Sequence, residues 1–388
     1  MKNSKKLGIN TICTHVGEVK DEQFKGAISP IYMSTSYAFD DVEVKRYPRY
    51  FNTPNQEMLC KKIAALESTE DALIFGSGMA AISSTLFAFL GKGDHVIIQQ
   101  NIYGGTYNLV VREFEKYGIE YSFTTSDSIE DFEKLIQPNT KILYIETPSN
   151  PLLTITDMKA IADLAKEKGI ITMIDNTFAS PINQNPGDFG IDIMMHSATK
   201  YMGGHSDILA GAVAGSKEHI AQIWETARNF GGSLSDFTVW MLERSLKTLN
   251  LRVKEQTKNA QVMAEYLHEN SNIDCVYYPG LKSHPDYELA ASQMKGFGAM
   301  MSFELKEGID AVEFQNALEL IKPSMSLAGV ESTMLNPANT SHALLGEEER
   351  AKQGIKDGLI RFSIGIEEPE DLISDIEQAI LKTKKVLV

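Results

Sequence analysis

Ile191-Asp192-Ile193-Met194-Met195-His196-Ser197-Ala198-Thr199-Lys200 is an apolar run that closes on small, hydroxyl-bearing residues and a lysine. It reads as a strand buried on both faces, with Lys200 just past its C-terminal end. Upstream, Gly169-Ile170-Ile171-Thr172-Met173-Ile174 is a second such run and ends in Asp175-Asn176-Thr177. In an open parallel sheet the strand C-termini converge on one crevice. Asp175 and Lys200 can therefore face one ligand although 25 residues separate them (200 − 175). A lysine there can form a Schiff base with an aldehyde, and a carboxylate there can hold a protonated ring nitrogen. Together these are a protein's contributions to a pyridoxal phosphate site. Taken singly, each has a plainer reading: Lys200 as a solvated lysine, Asp175 as a turn or capping acid.

The pattern extends both ways. Ala72-Leu73-Ile74-Phe75, His95-Val96-Ile97-Ile98 and Lys141-Ile142-Leu143-Tyr144-Ile145 are further continuous apolar runs. Helical spacing separates them, as at Asp157 to Lys168, and this alternation predicts an α/β fold with a mostly parallel, doubly wound sheet. A helix is expected over Gln56 to Glu67, where Leu59, Ile63 and Leu66 recur at three- and four-residue spacing. Residues 1–50 carry few helix signals and read as an extended N-terminal arm. After Leu242 the texture changes. A long helix (Leu246 to Glu269), candidate strands (Ala299 to Leu305, Leu359 to Ile364) and an amphipathic helix (Pro369 to Leu387) predict a smaller C-terminal α+β unit. The expected division is an arm (1–50), a large cofactor-binding domain (51–247) and a small domain (248–388).

Composition narrows the partners. The chain has 388 residues, 43% of them hydrophobic and 23% charged, as in ordinary soluble globular proteins. A formal net charge of −15 opposes nucleic acid or an anionic membrane as main partner. Cys13, Cys60 and Cys275 are too scattered for a disulfide framework and fit a reducing compartment. Met1 to Gly17 lacks a secretory apolar region, and the apolar stretch Met79 to Leu90 is short and broken by Ser83, Ser84 and Thr85. A soluble, cytoplasmic protein is the expectation. The histidines, His196 and His205 included, form no cluster with metal-ligand spacing, so no metal site is expected.

Further candidates sit at strand ends. Phe75-Gly76-Ser77-Gly78-Met79-Ala80-Ala81 joins a strand to a helix start, where backbone N–H groups and the helix dipole favour a phosphate, or where the chain simply turns. Ser197 and Thr199 offer hydroxyls to the same phosphate or cap the strand. Asn101-Ile102-Tyr103-Gly104-Gly105-Thr106 lets the Tyr103 ring lie on a cofactor face or pack under a loop. Arg361 lies inside the apolar run Gly358-Leu359-Ile360-Arg361-Phe362-Ser363. A guanidinium there needs a partner, either a substrate carboxylate or an internal acid.

These segments resemble the trans-sulfuration group, the pyridoxal phosphate enzymes of cysteine and methionine metabolism. The resemblance spans nearly the whole chain. It runs through Pro30-Ile31-Tyr32, Gly76 to Ala81, Glu146-Thr147-Pro148-Ser149-Asn150-Pro151, Asp175-Asn176-Thr177-Phe178, Ser197-Ala198-Thr199-Lys200-Tyr201 and Gly204-His205-Ser206-Asp207. It continues at Glu347-Glu348-Glu349-Arg350 and at Arg361 to Glu367. It implies a type I pyridoxal phosphate fold, like that of aspartate aminotransferase. It also implies Lys200 as the Schiff-base lysine, Asp175 as partner of the ring nitrogen, and Tyr103 stacked on the ring. Gly78, Met79, Ser197 and Thr199 would hold the phosphate. Asn150 would bond the ring oxygen region or the substrate carboxylate, and Arg361 that carboxylate with help from Ser326. A homotetramer of active dimers is implied, in which Tyr47 and Arg49 reach the neighbour's phosphate. Tyr47-Pro48-Arg49-Tyr50-Phe51 departs from the family in Phe51, where glycine is usual, and in Pro48, where serine is common.

Ser326-Leu327-Ala328-Gly329-Val330-Glu331-Ser332 resembles a segment of cystathionine γ-lyases and γ-synthases, with Glu331 matching an acid that would recognise the distal ammonium or a cysteine nucleophile; a solvated loop acid is the other reading. Gly105 stands where methionine γ-lyases carry cysteine, and Asn339-Thr340-Ser341-His342 departs from the usual segment. The expected reaction is γ-elimination of cystathionine. γ-Synthase, cystathionine β-lyase and methionine γ-lyase follow in that order, with an aminotransferase or an inactive scaffold as readings from other classes.

Overall fold

The computed structural model describes residues 7–340, 350 and 354–384; Ser341-His342 and Glu347-Glu348-Glu349 of the segments above lie outside them. Seven strands form the larger sheet: β1 (Asp71–Phe75), β2 (His95–Ile98), β3 (Glu120–Phe123), β4 (Thr140–Glu146), β5 (Ile171–Asp175), β6 (Ile193–His196) and β7 (Gly211–Gly215). Their order is β1-β7-β6-β5-β4-β2-β3. From β6 to β3 every pair is parallel, and β7 runs antiparallel between β1 and β6. The fold is α/β, as expected. Two strands of this sheet went unforeseen. β3 is short and half-buried, and β7 is Gly-Ala-Val-Ala-Gly, with no bulky β-branched signal.

Central strands β2, β5 and β6 are buried along nearly their whole length because helices cover both faces. One face packs Val96, Tyr144, Met173 and Met195 into one cluster; the other packs Ile97, Leu143, Ile174 and Met194 into a second. That odd–even partition is the period-2 side-chain alternation of a strand. It sends Asp175 to the face of Met173, above the helix that starts at Gly78.

A second sheet of five strands contains β8 (Ile273–Tyr277), β9 (Met300–Leu305), β10 (Lys322–Pro323), β11 (Thr333–Leu335) and β12 (Leu359–Ser363), in the order β10-β11-β12-β9-β8. The expected division at residue 248 falls where two helices meet. The long helix predicted over Leu246 to Glu269 begins at Leu249, and Lys247-Thr248 separates it from an unforeseen helix, Asp236–Leu246. The expected extended arm also holds a helix, Ile9–His15, whose Ile9, Ile12 and Cys13 pack on the main core.

At residue 51 the backbone is left-handed, with φ 59°. Glycine adopts that conformation freely, which gives a physical reason for its use there. Phe51 accepts the strain and buries its ring against Phe75, centroids 5.3 Å apart.

Candidate active site

The turn after β5 and the turn after β6 are stitched together by one side chain. Thr177 N–H donates to Asp175 Oδ1 at 3.0 Å, and Thr177 Oγ1 accepts the Ser197 N–H at 2.8 Å. Asp175 and Ser197 are thereby held on one ledge. Lys200 N–H then closes a tight turn on Ser197 O at 3.0 Å. The turn is clamped from behind: Arg252, buried at 6% exposure, donates to Tyr201 O at 2.8 Å and to Ser245 O at 3.0 Å. Gly204 sits against that guanidinium at φ +68°, where a Cβ would lie 1.8 Å from Arg252 Nη1.

The helix Gly78–Phe89 begins beside the same ledge. Ser77 caps it, its Oγ accepting the Ala80 N–H at 3.0 Å. A Cβ on Gly78 would come within 2.8 Å of Ser197 Cβ, so glycine is required for this approach. The result is a concave, N–H-lined helix start facing the Ser197 hydroxyl, an arrangement suited to a phosphate. Thr199 is more committed than the sequence suggested. Its hydroxyl donates to Ala210 O at 3.1 Å and accepts the Ala210 N–H at 3.0 Å, the strand-end capping role.

These elements enclose a cavity of ≈ 420 Å³, within the range of small-molecule sites. Gly78, Met79, Tyr103, Asn150, Asp175, Ser197, Thr199, Lys200 and Arg361 all line it. Tyr103 heads the helix Gly104–Tyr117, and its ring lies so close over Gly105 that a Cβ there would be 2.4 Å from Tyr103 Cε1. No larger residue, cysteine included, fits beneath the ring in this position.

Arg361 reaches the cavity from β12. It is 4% exposed, donating to Asn150 Oδ1 at 3.2 Å and to Met325 O at 3.2 Å. Among the described residues no carboxylate forms an ion pair with it. Burial lowers its pKa to about 10, against the pull of Tyr103 and Glu146. A buried guanidinium at a cavity wall, without an ion-pair partner among the described residues, is chemically suited to a carboxylate. Lys200 Nζ lies 3.4 Å from Ser326 Oγ, and its pKa falls to about 8, through burial first and the Arg361 charge second. Burial raises Asp175, while the Thr177 donors and His196 oppose the rise.

Four expected site residues are not drawn into the cavity wall; one is Ser326, which still meets Lys200 through its hydroxyl. Glu331 is half-buried beside Gly329 and Ser206. Tyr47 is exposed, and Arg49 stacks on Tyr47 and Tyr50 and donates to Arg228 O at 2.5 Å. Conversely, Glu146 and Thr177 belong to the site and were not singled out. Both follow from the strand-end logic that picked Asp175, since Glu146 is the last residue of β4. Among the described residues no three His, Cys, Asp or Glu side chains gather as for a metal ion. No described helix is long and apolar enough to cross a membrane.

The family described as Cys/Met metabolism PLP-dependent enzyme matches residues 10–381. Cystathionine gamma-lyase of Bacillus subtilis is 42% identical over 376 residues, covering 95% of this chain and 98% of the relative. Cystathionine beta-lyase MetC of the same organism is also 42% identical, over 368 residues and 94% of each chain. Among solved structures, cystathionine gamma synthase from Xanthomonas oryzae pv. oryzae in complex with cystathionine superposes with a TM-score of 0.93 at 38% identity, covering 97% of this chain and 99% of that one.

Proposed function

The chain belongs to the Cys/Met metabolism PLP-dependent enzymes, with their type I fold and their cofactor, and within that family we propose that it cleaves cystathionine by γ-elimination, giving cysteine, 2-oxobutyrate and ammonia. The observation behind this is one cavity that gathers Lys200, Asp175 and a buried Arg361 met by no carboxylate among the described residues. The helix start at Gly78, which a single added Cβ would obstruct, is a cradle that fits the cofactor's phosphate.

When bound, pyridoxal phosphate supplies an aldehyde that takes up an amine and a ring that accepts electron density from the substrate's Cα. The chain's own groups do the rest. Gly78 and Met79 N–H groups and the Ser197 hydroxyl would hold the phosphate, joined by Thr199 if its hydroxyl releases Ala210. Asp175 would pair with the ring nitrogen, and Tyr103 would stack on the ring. Arg361 grips the substrate carboxylate in two-pronged fashion, with Asn150 and Ser326 beside it. Lys200 Nζ removes the Cα proton and later shuttles a proton from Cβ, while the Tyr103 phenol protonates the departing sulfur. Glu331 recognises the distal ammonium of a substrate long enough to pass Ser326.

Self-association supports the phosphate site. Phe24, Ile28, Met33 and Phe39 of the arm are exposed apolar residues, a surface suited to burial against further copies. In the proposed homotetramer, a dimer of active dimers, Tyr47 and Arg49 serve the neighbour's cofactor.

Gly105 beneath Tyr103 weighs against methionine γ-lyase chemistry. β-Cleavage is the second reading, favoured by the equal similarity to the β-lyase. Mass spectrometry of products from purified enzyme and cystathionine separates them. Cysteine with 2-oxobutyrate supports γ-elimination, whereas homocysteine with pyruvate overturns it in favour of β-cleavage. Turnover of O-acylhomoserine with cysteine but not of cystathionine would instead assign a γ-synthase.

A further inference from the structure

Glu146 ends β4 and Asp175 ends β5, and the parallel register sets them opposite one another. Register partners in a pleated sheet share a face, and both carboxyls line the cavity. They are buried, at 4% and 6% exposure. Among the described residues neither has a Lys, Arg or His nitrogen within ion-pair distance. Two carboxyls side by side in such a place do not both ionise.

Each carboxyl has its own donors and a more distant cation. Asp175 Oδ1 accepts the Thr177 N–H at 3.0 Å, the Thr177 hydroxyl adds to it, and His196 contributes positive potential. Glu146 Oε2 accepts the Tyr103 N–H at 2.7 Å, at a helix start. The Asn150 N–H also acts on Glu146, and the remaining groups facing it are weak or spent. Gln99 Oε1 is taken by Glu146 N and by Thr156 Oγ1, and among the described residues the buried Tyr144 phenol has no hydrogen-bond partner. Arg361 acts on it only from beyond ion-pair distance.

We propose that Glu146 is a positioning residue that holds the shared proton as a neutral carboxylic acid, leaving Asp175 the single anion on the cavity floor while it tethers Tyr103 by the backbone. Burial and the Asp175 charge push Glu146 well above the usual carboxylate range, against the Tyr103 and Asn150 N–H groups and Arg361. The consequence for the cofactor rests on the function proposed above: the ring nitrogen meets one negative charge instead of two. The proton itself is a property of the chain without cofactor.

Difference infrared spectroscopy of the full-length apo-protein tests it. Wild type should show the C=O band of a protonated, desolvated carboxyl at neutral pH, and Glu146→Gln should lose it. In Asp175→Asn the pH midpoint of that band should fall by about one pH unit or more, because the neighbouring charge is gone. Glu146→Gln, the neutral isostere, should hold pyridoxal phosphate within about threefold of wild type, and Glu146→Ala should weaken it about tenfold or more. An ionised Glu146 at neutral pH, a midpoint unmoved by Asp175→Asn, or equal loss of cofactor in the Gln and Ala variants would each overturn the proposal. If wild type takes up no pyridoxal phosphate, the proposed function falls, yet the infrared band still decides the proton's place.

Discussion

Lys200 offers the sharpest quantitative consequence of the cavity. Its pKa drops from 10.5 to about 8, chiefly through burial and secondly through Arg361. At pH 7 roughly one such amine in ten is neutral, against about one in three thousand for an ordinary lysine, a gain of about 300-fold. Only the neutral amine attacks an aldehyde. Capture of pyridoxal phosphate by the apo-protein, followed by stopped-flow absorbance, should therefore rise about tenfold per pH unit up to about pH 8 and then level off. A midpoint near 10.5 would refute the burial argument, and rapid capture by Lys200→Met would refute the assignment of the lysine. The sign for stability runs the other way. Between about 8 and 10.5 the unfolded chain binds more protons here than the folded one, so stability rises with pH across that window. Below it the folded apo-protein carries a penalty of at most about 3 kcal/mol from this group. Apo Lys200→Met should accordingly resist thermal unfolding better than wild type at neutral pH, with the gap closing as the pH approaches 10.5.

Arg361→Lys removes the planar fork and should raise KM for amino-acid substrates about tenfold or more while leaving cofactor absorbance intact; an unchanged KM contradicts the carboxylate role. Gly204→Ala adds a Cβ 1.8 Å from Arg252 Nη1 at φ +68° and should cost about 2–4 kcal/mol of stability by denaturant titration. An unshifted midpoint would show that the clamp behind Lys200 is slack. Arg49→Ala and Lys200→Met chains should each be inactive alone, and refolding them as a mixture should restore turnover. A mixed dimer then has one site with Lys200 from one chain and Arg49 from the other. No recovery counts against the shared phosphate site.

Asp175 and Lys200 were legible because they depend on local facts: an apolar run, its end, and the residue type found there. Glu146 obeys the same rule, but its meaning comes from register, which aligns it with Asp175. Register is a long-range property. β7 escaped notice because its residues are small for a packing reason: a Cβ on Gly211 would lie 2.1 Å from Ser77 O. The chain there is shaped by the turn into the Gly78 helix pressing on it, and no strand propensity shows. Likewise the break at Lys247-Thr248 has neither Pro nor Gly to announce it. Arg361 could be suspected from its apolar neighbours, but not its distance from the nearest acid or its effect on Lys200, which is 161 residues away (361 − 200). The functional quantity, an amine about one-tenth neutral at pH 7, belongs to neither residue. It exists only once β12 brings a second positive charge to the wall of a cavity that excludes water from the first.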